Sequence, residues 1–269
     1  MAKGREFSGK VVWITGASSG IGRELAVAFS RRGARTVLSA RRLEALEETR
    51  SRCGGSDDHR IVAADMEDLD GLADCVDEAH RAFGRIDIAV LNAGLSQRGK
   101  ALETEPSVVR RVNTVNFLAP TTIIRNLAPL MLEEGGGRIV AVSSLTSRVA
   151  TPYRSAYTAS KAALETYLTI LRREVLDTGL EVTLALPGFV RTEISRHALG
   201  PDGRSHGALD KAQDQGMPAE VCAERIIRGV LRGRREILLP SDARTRLGLF
   251  LERWAPALLD RIMAKAEVT

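Results

Sequence analysis

Short apolar runs rich in β-branched residues alternate with longer segments of helical periodicity along most of this 269-residue chain. Seven runs have the length of strands: 11–15, 36–39, 61–64, 86–91, 138–143, 181–186 and 236–239. Six segments have the length and periodicity of helices: 21–32, 43–53, 69–83, 106–133, 155–177 and 219–233. Several strands are apolar at nearly every position, which is typical of strands covered by helices on both faces. The alternation predicts an α/β fold with a mainly parallel sheet, as one domain over residues 1–269.

Composition and charge exclude several classes of protein. With 44% hydrophobic and 27% charged residues, the chain can bury a core without a metal or disulfide. The net charge of +5 comes from scattered arginines, so we expect no nucleic-acid partner. Three cysteines without CxxC spacing and four unpaired histidines predict a reducing compartment and no metal site. No apolar run approaches about 18 residues and residues 1–8 are polar, so we expect a cytoplasmic protein.

Two regions fall outside the alternation of strands and helices. Residues 192–217 are rich in Gly, Ser, Asp and His, and we expect this long loop to close over a substrate. Residues 241–267 form a helical extension broken at Pro256. Its apolar stripe, flanked by arginines, consists of Leu247, Phe250, Leu251 and Trp254. The stripe favours packing on the domain or on a partner subunit; peripheral contact with an anionic membrane is the alternative.

A glycine-rich segment, Thr-Gly-Ala-Ser-Ser-Gly-Ile-Gly at 15–22, directly follows the first strand and opens the first helix. Glycines in this place allow a tight turn and let backbone N–H groups approach a pyrophosphate at a helix N-terminus. The first two glycines are separated by three residues instead of one. The segment predicts a dinucleotide site that includes Gly16, Ser18, Ser19, Gly20, Ile21 and Gly22.

The end of the second strand indicates which dinucleotide binds. NAD-binding sheets place an acidic residue there to hold the ribose 2′-hydroxyl. This chain instead has Ala40, Arg41 and Arg42. Because a guanidinium matches a phosphate in charge and geometry, the pair predicts NADP(H) in preference to NAD(H). The alternative is that both arginines are simply solvated at a helix start.

The ends of the third and fourth strands supply further candidates. Asp65 could accept a hydrogen bond from the adenine amino group, with the Met66 backbone beside it; as an alternative, it could be a helix N-cap. Asn92, Ala93 and Gly94 follow the fourth strand, at the sheet edge where ligands gather.

Tyr157 and Lys161 are four residues apart and would share one face of a helix. Ser144 directly follows a buried strand, and Asn116 lies within a long apolar helix. With these motifs the chain resembles the short-chain dehydrogenases/reductases. The matching segments are 15–22, 92–94, 115–116, 142–144, 157–161 and 187–188 with Thr192, in the family's order and spacing.

The resemblance implies a Rossmann-type, doubly wound, seven-stranded sheet. It assigns catalytic roles to Asn116, Ser144, Tyr157 and Lys161, with the spacing to Tyr157 selecting Ser144 over Ser143 and the sequence context selecting Asn116 over Asn113. It also implies a homodimer or homotetramer through the long helices that carry Asn116 and Tyr157. The further residues that it places at the cofactor are Tyr157, Lys161, Pro187, Gly188, Val190 and Thr192.

These residue types suit the interconversion of a carbonyl and an alcohol. Hydride transfer to a carbonyl leaves an alkoxide, which the Tyr157 phenol can protonate beside the Lys161 ammonium. Ser144 would bond the substrate oxygen, Lys161 would also hold the nicotinamide ribose, and Asn116 would hold a water that passes protons to solvent. The alternatives are a packing tyrosine, a turn serine and a solvated lysine, or a non-catalytic module that senses NADP(H).

Two segments indicate the kind of substrate. Residues 143–153 and 203–216 resemble the branch that holds eleven-beta-hydroxysteroid dehydrogenase and the dehydrogenase/reductase member seven proteins. That resemblance implies a hydrophobic, steroid-like or lipid-like ketone, aldehyde or alcohol. We expect Ser144 and Tyr157 at the substrate, with Tyr153 as a wall of its pocket. Those relatives carry an N-terminal membrane anchor, and we expect none in this chain.

Overall fold

The computed structural model describes residues 5–54, 57–207 and 211–265. Seven strands form the main sheet: β1 Val11–Thr15, β2 Arg35–Ser39, β3 His59–Ile61, β4 Ile88–Leu91, β5 Gly137–Val142, β6 Leu180–Pro187 and β9 Glu236–Leu239. Two short strands, β7 Val190–Arg191 and β8 Met217–Pro218, pair separately.

The main sheet has the strand order β3-β2-β1-β4-β5-β6-β9, and every neighbouring pair is parallel. The prediction of a doubly wound, seven-stranded sheet is therefore confirmed. Successive strands are added to one side of β1 up to β3 and to its other side from β4 onward, so the order of the strands reverses between β1 and β4. In such sheets the crevice at that point, outside the carboxyl ends of the strands, is where ligands bind.

Helices cover both faces of the sheet. They are α1 Gly20–Ser30, α2 Leu43–Arg52, α3 Leu72–Arg81, α4 Pro106–Asn113, α5 Ala119–Glu133, α6 Ser155–Glu174, α7 Lys211–Asp214, α8 Ala219–Leu231, α9 Ala243–Trp254 and α10 Pro256–Lys265. Side chains alternate along β1, so Val11 and Trp13 join a core with α3, α5 and α6. Val12 and Ile14 point to the other face and join a core with α1, α2 and α8.

The strand predicted at 61–64 begins two residues earlier in the structure, at His59. The ladder with β2 runs from His59 to Ile61, and the His59 ring bonds the Thr36 hydroxyl at 2.9 Å. His59 and Arg60 are polar, so the apolar run alone did not mark the start of the strand. Single backbone hydrogen bonds still join residue 62 to Leu38 of β2 and residue 64 to Ala40, directly after β2.

The predicted helix at 106–133 is interrupted. A π-helical segment, Thr114–Leu118, lies between α4 and α5 and contains Asn116. Pro120 lacks the N–H that would bond the carbonyl of Asn116 four residues earlier, which frees the backbone there from α-helical geometry. Segments of this kind occur frequently at functional sites.

The two regions that fall outside the alternation of strands and helices, 192–217 and 241–267, contain some regular secondary structure. Residues 192–217 contain α7 and β8, so the segment is less irregular than predicted; its residues 208–210 lie outside the described ranges. The C-terminal extension forms α9, capped by the Asp242 carboxylate, and α10, which begins at Pro256; residues 266 and 267 are not described.

Within the C-terminal extension only part of the apolar surface is covered. Leu251 and Leu259 pack against Val149. The side chains that stay exposed are Leu247, Phe250, Trp254, Leu258 and Ile262. Across the described ranges, no helix combines the length and apolar character needed to cross a membrane.

Candidate active site

A cavity of about 550 Å³ opens at the carboxyl ends of β1 and β4. It is lined by thirteen of the residues expected at the dinucleotide: Gly16, Ser18, Ser19, Gly20, Ile21, Arg41, Arg42, Asp65, Met66, Asn92, Ala93, Gly94 and Thr192. Its walls also include twelve residues that were not among the predicted site residues, six of them in the 192–217 segment: Ala40, Ala64, Glu67, Leu95, Arg111, Val115, Glu193, Ile194, His197, Leu199, Gly203 and Ser205. The cavity thus brings together segments that follow four different strands and the start of the 192–217 segment.

The turn between β1 and α1 requires glycines because neighbouring atoms approach its backbone closely. Gly16 has φ +66°, and a Cβ there would lie 2.9 Å from the Cα of Ala93. A Cβ at Gly22 would overlap the carbonyl oxygen of Gly16. Gly20 has φ +54°, and its Cβ would lie 3.0 Å from the methyl group of Thr192. Because side chains are excluded, the backbone at the start of α1 stays open to the cavity, as a pyrophosphate cradle requires.

The turn is held against β4 by two polar side chains. The Asn92 amide nitrogen donates to the carbonyls of Thr15 at 3.1 Å and Gly16 at 3.2 Å. The Thr15 hydroxyl oxygen accepts from the backbone N–H groups of Asn92 at 3.0 Å and Ala93 at 3.2 Å. Asn92 therefore shapes the cradle, although it also lines the cavity.

At the other end of the cavity, Arg41, Arg42, Glu67 and Arg111 form a cluster that we call the basic end. Glu67 Oε1 accepts from Arg41 Nη1 at 3.2 Å and from Arg111 Nη2 at 2.9 Å, and Glu67 Oε2 accepts from Arg111 Nε at 2.7 Å. The hydrogen bond to Glu67 raises the pKa of Arg111. Over the described part of the chain, the Arg42 side chain has no hydrogen-bond or ion-pair partner.

Asp65 lies beside the basic end. Its Oδ1 accepts a hydrogen bond from the backbone N–H of Glu67 at 2.9 Å, which closes a tight turn, and lies 4.0 Å from Arg41 Nη1. The alternative of a helix N-cap is wrong, because α3 begins at Leu72 with Gly71 as its N-cap. The contact of Asp65 with adenine stays a prediction.

The Lys161 amine is buried where β5 ends. Lys161 is 4% exposed, and its Nζ donates to the carbonyl of Val142 at 2.9 Å. Burial lowers the pKa of Lys161 to about 8, and the negative charge of Glu165 opposes that shift. A Cβ at Gly94 would lie 3.4 Å from Lys161 Nζ and 3.2 Å from Asn116 Oδ1. The amine and the amide therefore both lie close to Gly94, which is part of the cavity wall.

Asn116 holds the chain that follows β4. Its Oδ1 accepts from the backbone N–H of Leu95 at 2.8 Å, and its Nδ2 donates to the carbonyl of Leu95 at 2.9 Å and to Ser160 Oγ at 2.9 Å. The Ser160 hydroxyl donates in turn to the carbonyl of Tyr157 at 2.7 Å. Both amide hydrogens are therefore engaged, and Oδ1 keeps one lone pair for the expected water.

Tyr157 and Ser144 are both buried near this point. Tyr157 lies in the first turn of α6, one turn before Lys161. Ser144 Oγ accepts from the backbone N–H of Thr146 at 3.3 Å and from its hydroxyl at 3.0 Å. Since both lone pairs of that oxygen are taken, its own proton is left for another acceptor, as bonding a substrate oxygen requires.

Some predicted residues are not in the lining of the cavity. Lys161 is directly behind the lining. Tyr153, expected as a substrate wall, is 40% exposed and has φ 64°, a backbone conformation that is rare outside glycine. The remaining ones are Gly22, Asn116, Ser144, Tyr157, Pro187, Gly188 and Val190.

Glu165 is a buried carboxylate that the sequence analysis missed. Its oxygens accept from Ser143 Oγ at 3.2 Å, from the Ser147 hydroxyl, and from Arg148 Nε at 2.7 Å. It thereby ties the segment around Ser144 to α6. Its position four residues after Lys161, on the face shared with Tyr157, was a signal that could have identified it.

Comparison with known proteins adds to this geometry. A model of the family described as short chain dehydrogenase matches residues 10–200. The dehydrogenase/reductase SDR family member 7B of Bos taurus is 37% identical over 261 residues, covering 94% of this chain and 80% of the relative. The chain belongs to the short-chain dehydrogenase family. The predicted branch is also confirmed, since an SDR family protein 7-like of Drosophila melanogaster is 34% identical and the match covers 98% of this chain and 82% of that protein.

Solved short-chain dehydrogenases have the same architecture. One from Streptomyces avermitilis superposes with a TM-score of 0.80 at 28% identity, covering 98% of this chain and 96% of the other. One from Burkholderia phymatum, solved in complex with NAD, superposes with a TM-score of 0.82 at 24% identity and 98% coverage of both chains, which shows the shared fold. Proteins of this family are oxidoreductases that use a nicotinamide cofactor, and the open glycine cradle of this chain fits one.

Proposed function

We propose that this short-chain dehydrogenase is an NADP(H)-dependent carbonyl reductase or alcohol dehydrogenase, with Tyr157 as the general acid and base. The observation that carries the proposal is the buried Lys161 amine. It lies one helical turn after Tyr157 and close to Gly94, a residue that lines the dinucleotide cavity. A buried cation at this point has a clear chemical use, because it stabilises the phenolate form of a neighbouring tyrosine.

In this proposal a bound dinucleotide supplies or accepts the hydride. The turn from Gly16 to Gly20 holds its pyrophosphate, and Lys161 holds the nicotinamide ribose. The Ser144 proton, which no described residue accepts, bonds the carbonyl oxygen of the substrate and stabilises charge that develops there. Tyr157 donates its phenolic proton to that oxygen in reduction and takes it back in oxidation.

The preference for NADP(H) is supported by the basic end. The Arg42 side chain has no partner among the described residues, and Arg41 is held only by an exposed hydrogen bond to Glu67 and a 4.0 Å ion pair with Asp65, so both guanidinium groups can bind a 2′-phosphate. Ala40 stands where NAD-binding sheets carry an acidic residue. Both features favour the phosphorylated cofactor.

The substrate we propose is a hydrophobic ketone, aldehyde or secondary alcohol of steroid-like or lipid-like character. This part of the proposal is supported by the resemblance of residues 143–153 and 203–216 to the member seven branch. The homodimer or homotetramer, the cytoplasmic location and the absence of nucleic-acid partners stay predictions. For the exposed apolar side chains of α9 and α10 we expect a partner subunit more than peripheral contact with a membrane.

The test is a panel of hydrophobic ketones and aldehydes, such as benzaldehyde, menadione and steroid ketones, with NADPH and NADH consumption followed by absorbance. We expect turnover with NADPH to exceed turnover with NADH. Tyr157→Phe should lose at least about 10³-fold in rate, because it removes the transferred proton. Its NADPH affinity should stay within about twofold of the wild type.

Two results would contradict the proposal. Near-normal turnover by Tyr157→Phe would refute the role of the phenol. Tight NADPH binding by a wild-type protein that turns over no carbonyl or alcohol would favour a cofactor-sensing module instead.

A further inference from the structure

Glu67 binds two guanidinium groups at once at the basic end of the cavity. The groups come from different elements, since Arg41 follows β2 and Arg111 lies on α4. Both donate to the same carboxylate oxygen, Oε1, at 3.2 Å and 2.9 Å respectively. The carboxylate thus cancels one of the two positive charges and occupies a hydrogen-bonding position of each guanidinium group.

The two ion pairs differ in strength. Arg111 forms a two-bond fork with Glu67, in which Nε and Nη2 face separate carboxylate oxygens. Such forks are the stronger and more specific geometry. Arg41 makes a single bond of 3.2 Å to Glu67, and its side chain is 53% exposed. An exposed ion pair with a single hydrogen bond contributes little free energy, so Arg41 can exchange partners while Arg111 keeps Glu67 in place.

We propose that Glu67 sets the cofactor specificity of this protein by competing with the 2′-phosphate for Arg41. The inference rests on the proposed binding of NADP(H). A cofactor without the 2′-phosphate leaves Arg41 on Glu67. A cofactor with it draws Arg41 away from Glu67, so the Arg41–Glu67 ion pair is lost and the carboxylate, now paired only with Arg111, lies beside the phosphate and repels it. Glu67 therefore weakens the binding of NADP(H) and has little effect on NAD(H).

The test is the Glu67→Gln variant, with binding of NADPH and NADH measured separately by the fluorescence of the nicotinamide ring. The glutamine oxygen can still accept a hydrogen bond from Arg111, so the contact with α4 is retained. We expect the Kd for NADPH to fall about fivefold, the size of an exposed ion-pair effect. The Kd for NADH should stay within about twofold. The gain should shrink at high salt, since the charges are screened there.

Asp70→Asn is the matched control. It removes the same charge three residues further along, at an exposed position that does not line the cavity. It should leave both affinities unchanged within about twofold. An equal gain in Asp70→Asn would overturn the proposal, because it would show an effect of net charge alone.

An unchanged NADPH affinity in Glu67→Gln would overturn the proposal. So would weaker binding, because Glu67 would then hold Arg41 in position for the phosphate. The proposed cofactor preference is tested separately by the NADPH to NADH affinity ratio of the wild type. If the wild type binds both equally, that preference fails, while the comparison of Glu67→Gln with the wild type still decides the role of Glu67.

Discussion

Replacing Lys161 by methionine should change the pH dependence of stability in a defined direction. Lys161 is 4% exposed and its folded-state pKa is about 8, whereas an unfolded lysine has a pKa of about 10.4. Below pH 8 the amine is charged in both states, so the folded protein carries the full cost of burying that charge. Between pH 8 and pH 10.4 the unfolded chain binds more protons, and the free energy of unfolding rises with pH.

The magnitude follows from the two pKa values. Each unit of difference corresponds to about 1.4 kcal/mol, so between pH 7 and pH 10 Lys161 should add roughly 2 to 3 kcal/mol to the stability of the wild type. Lys161→Met has no such group and lacks this rise. The free energy of unfolding of the methionine variant, relative to that of the wild type, should therefore rise by roughly 2 to 3 kcal/mol when the pH is lowered from 10 to 7.

The measurement is urea unfolding of both cofactor-free proteins at pH 7, 8, 9 and 10, read as the difference between them. The difference is needed because burial raises the pKa of Cys75 to about 11 and that of Cys222 to about 12. Their thiolates form first in the unfolded chain, so both thiols lower stability above about pH 9 in either protein. Subtracting the two unfolding curves removes this shared contribution.

Lys100→Met serves as the control, since Lys100 is exposed and pairs with Glu103. It should show no stability gain relative to the wild type as the pH falls. A Lys161→Met difference that stays constant within about 0.5 kcal/mol from pH 7 to pH 10 would refute the reasoning, because the amine would then titrate alike in both states.

Two further outcomes follow from the cavity. Gly94→Ala should lower the rate of turnover at least about tenfold, because the new Cβ would lie 3.2 Å from Asn116 Oδ1 and displace the side chains next to Gly94. Gly248→Ala is the control, since its Cβ meets nothing closer than 3.6 Å. Equal activity of the two variants would contradict this explanation. Ala40→Asp combined with Arg41→Ala should shift the cofactor preference from NADPH to NADH, measured as the ratio of kcat/KM values; an unchanged ratio would contradict the assignment of the basic end.

Local sequence patterns were sufficient for the sheet, its helices and most of the cavity. Strand and helix periodicity depends on residues close together in the chain, and a glycine-rich turn between β1 and α1 is recognised from a single short segment. The family motifs added Asn116, Ser144, Tyr157 and Lys161 as candidates. Boundaries were less accurate at β3, where polar residues begin the strand.

Contacts between distant segments were decided only by the tertiary structure. The Glu67–Arg111 fork joins residues 44 positions apart, and no local pattern indicates which arginine a carboxylate will meet. The placement of both Lys161 and Asn116 close to Gly94 depends on how α6 and the π-helical segment pack on β4 and β5. That segment has nearly the same apolar periodicity as an α-helix, so its different hydrogen bonding is settled by packing and by Pro120. Sequence patterns identify which groups are available, whereas the distances and burial that change their chemistry arise only when the layers pack together.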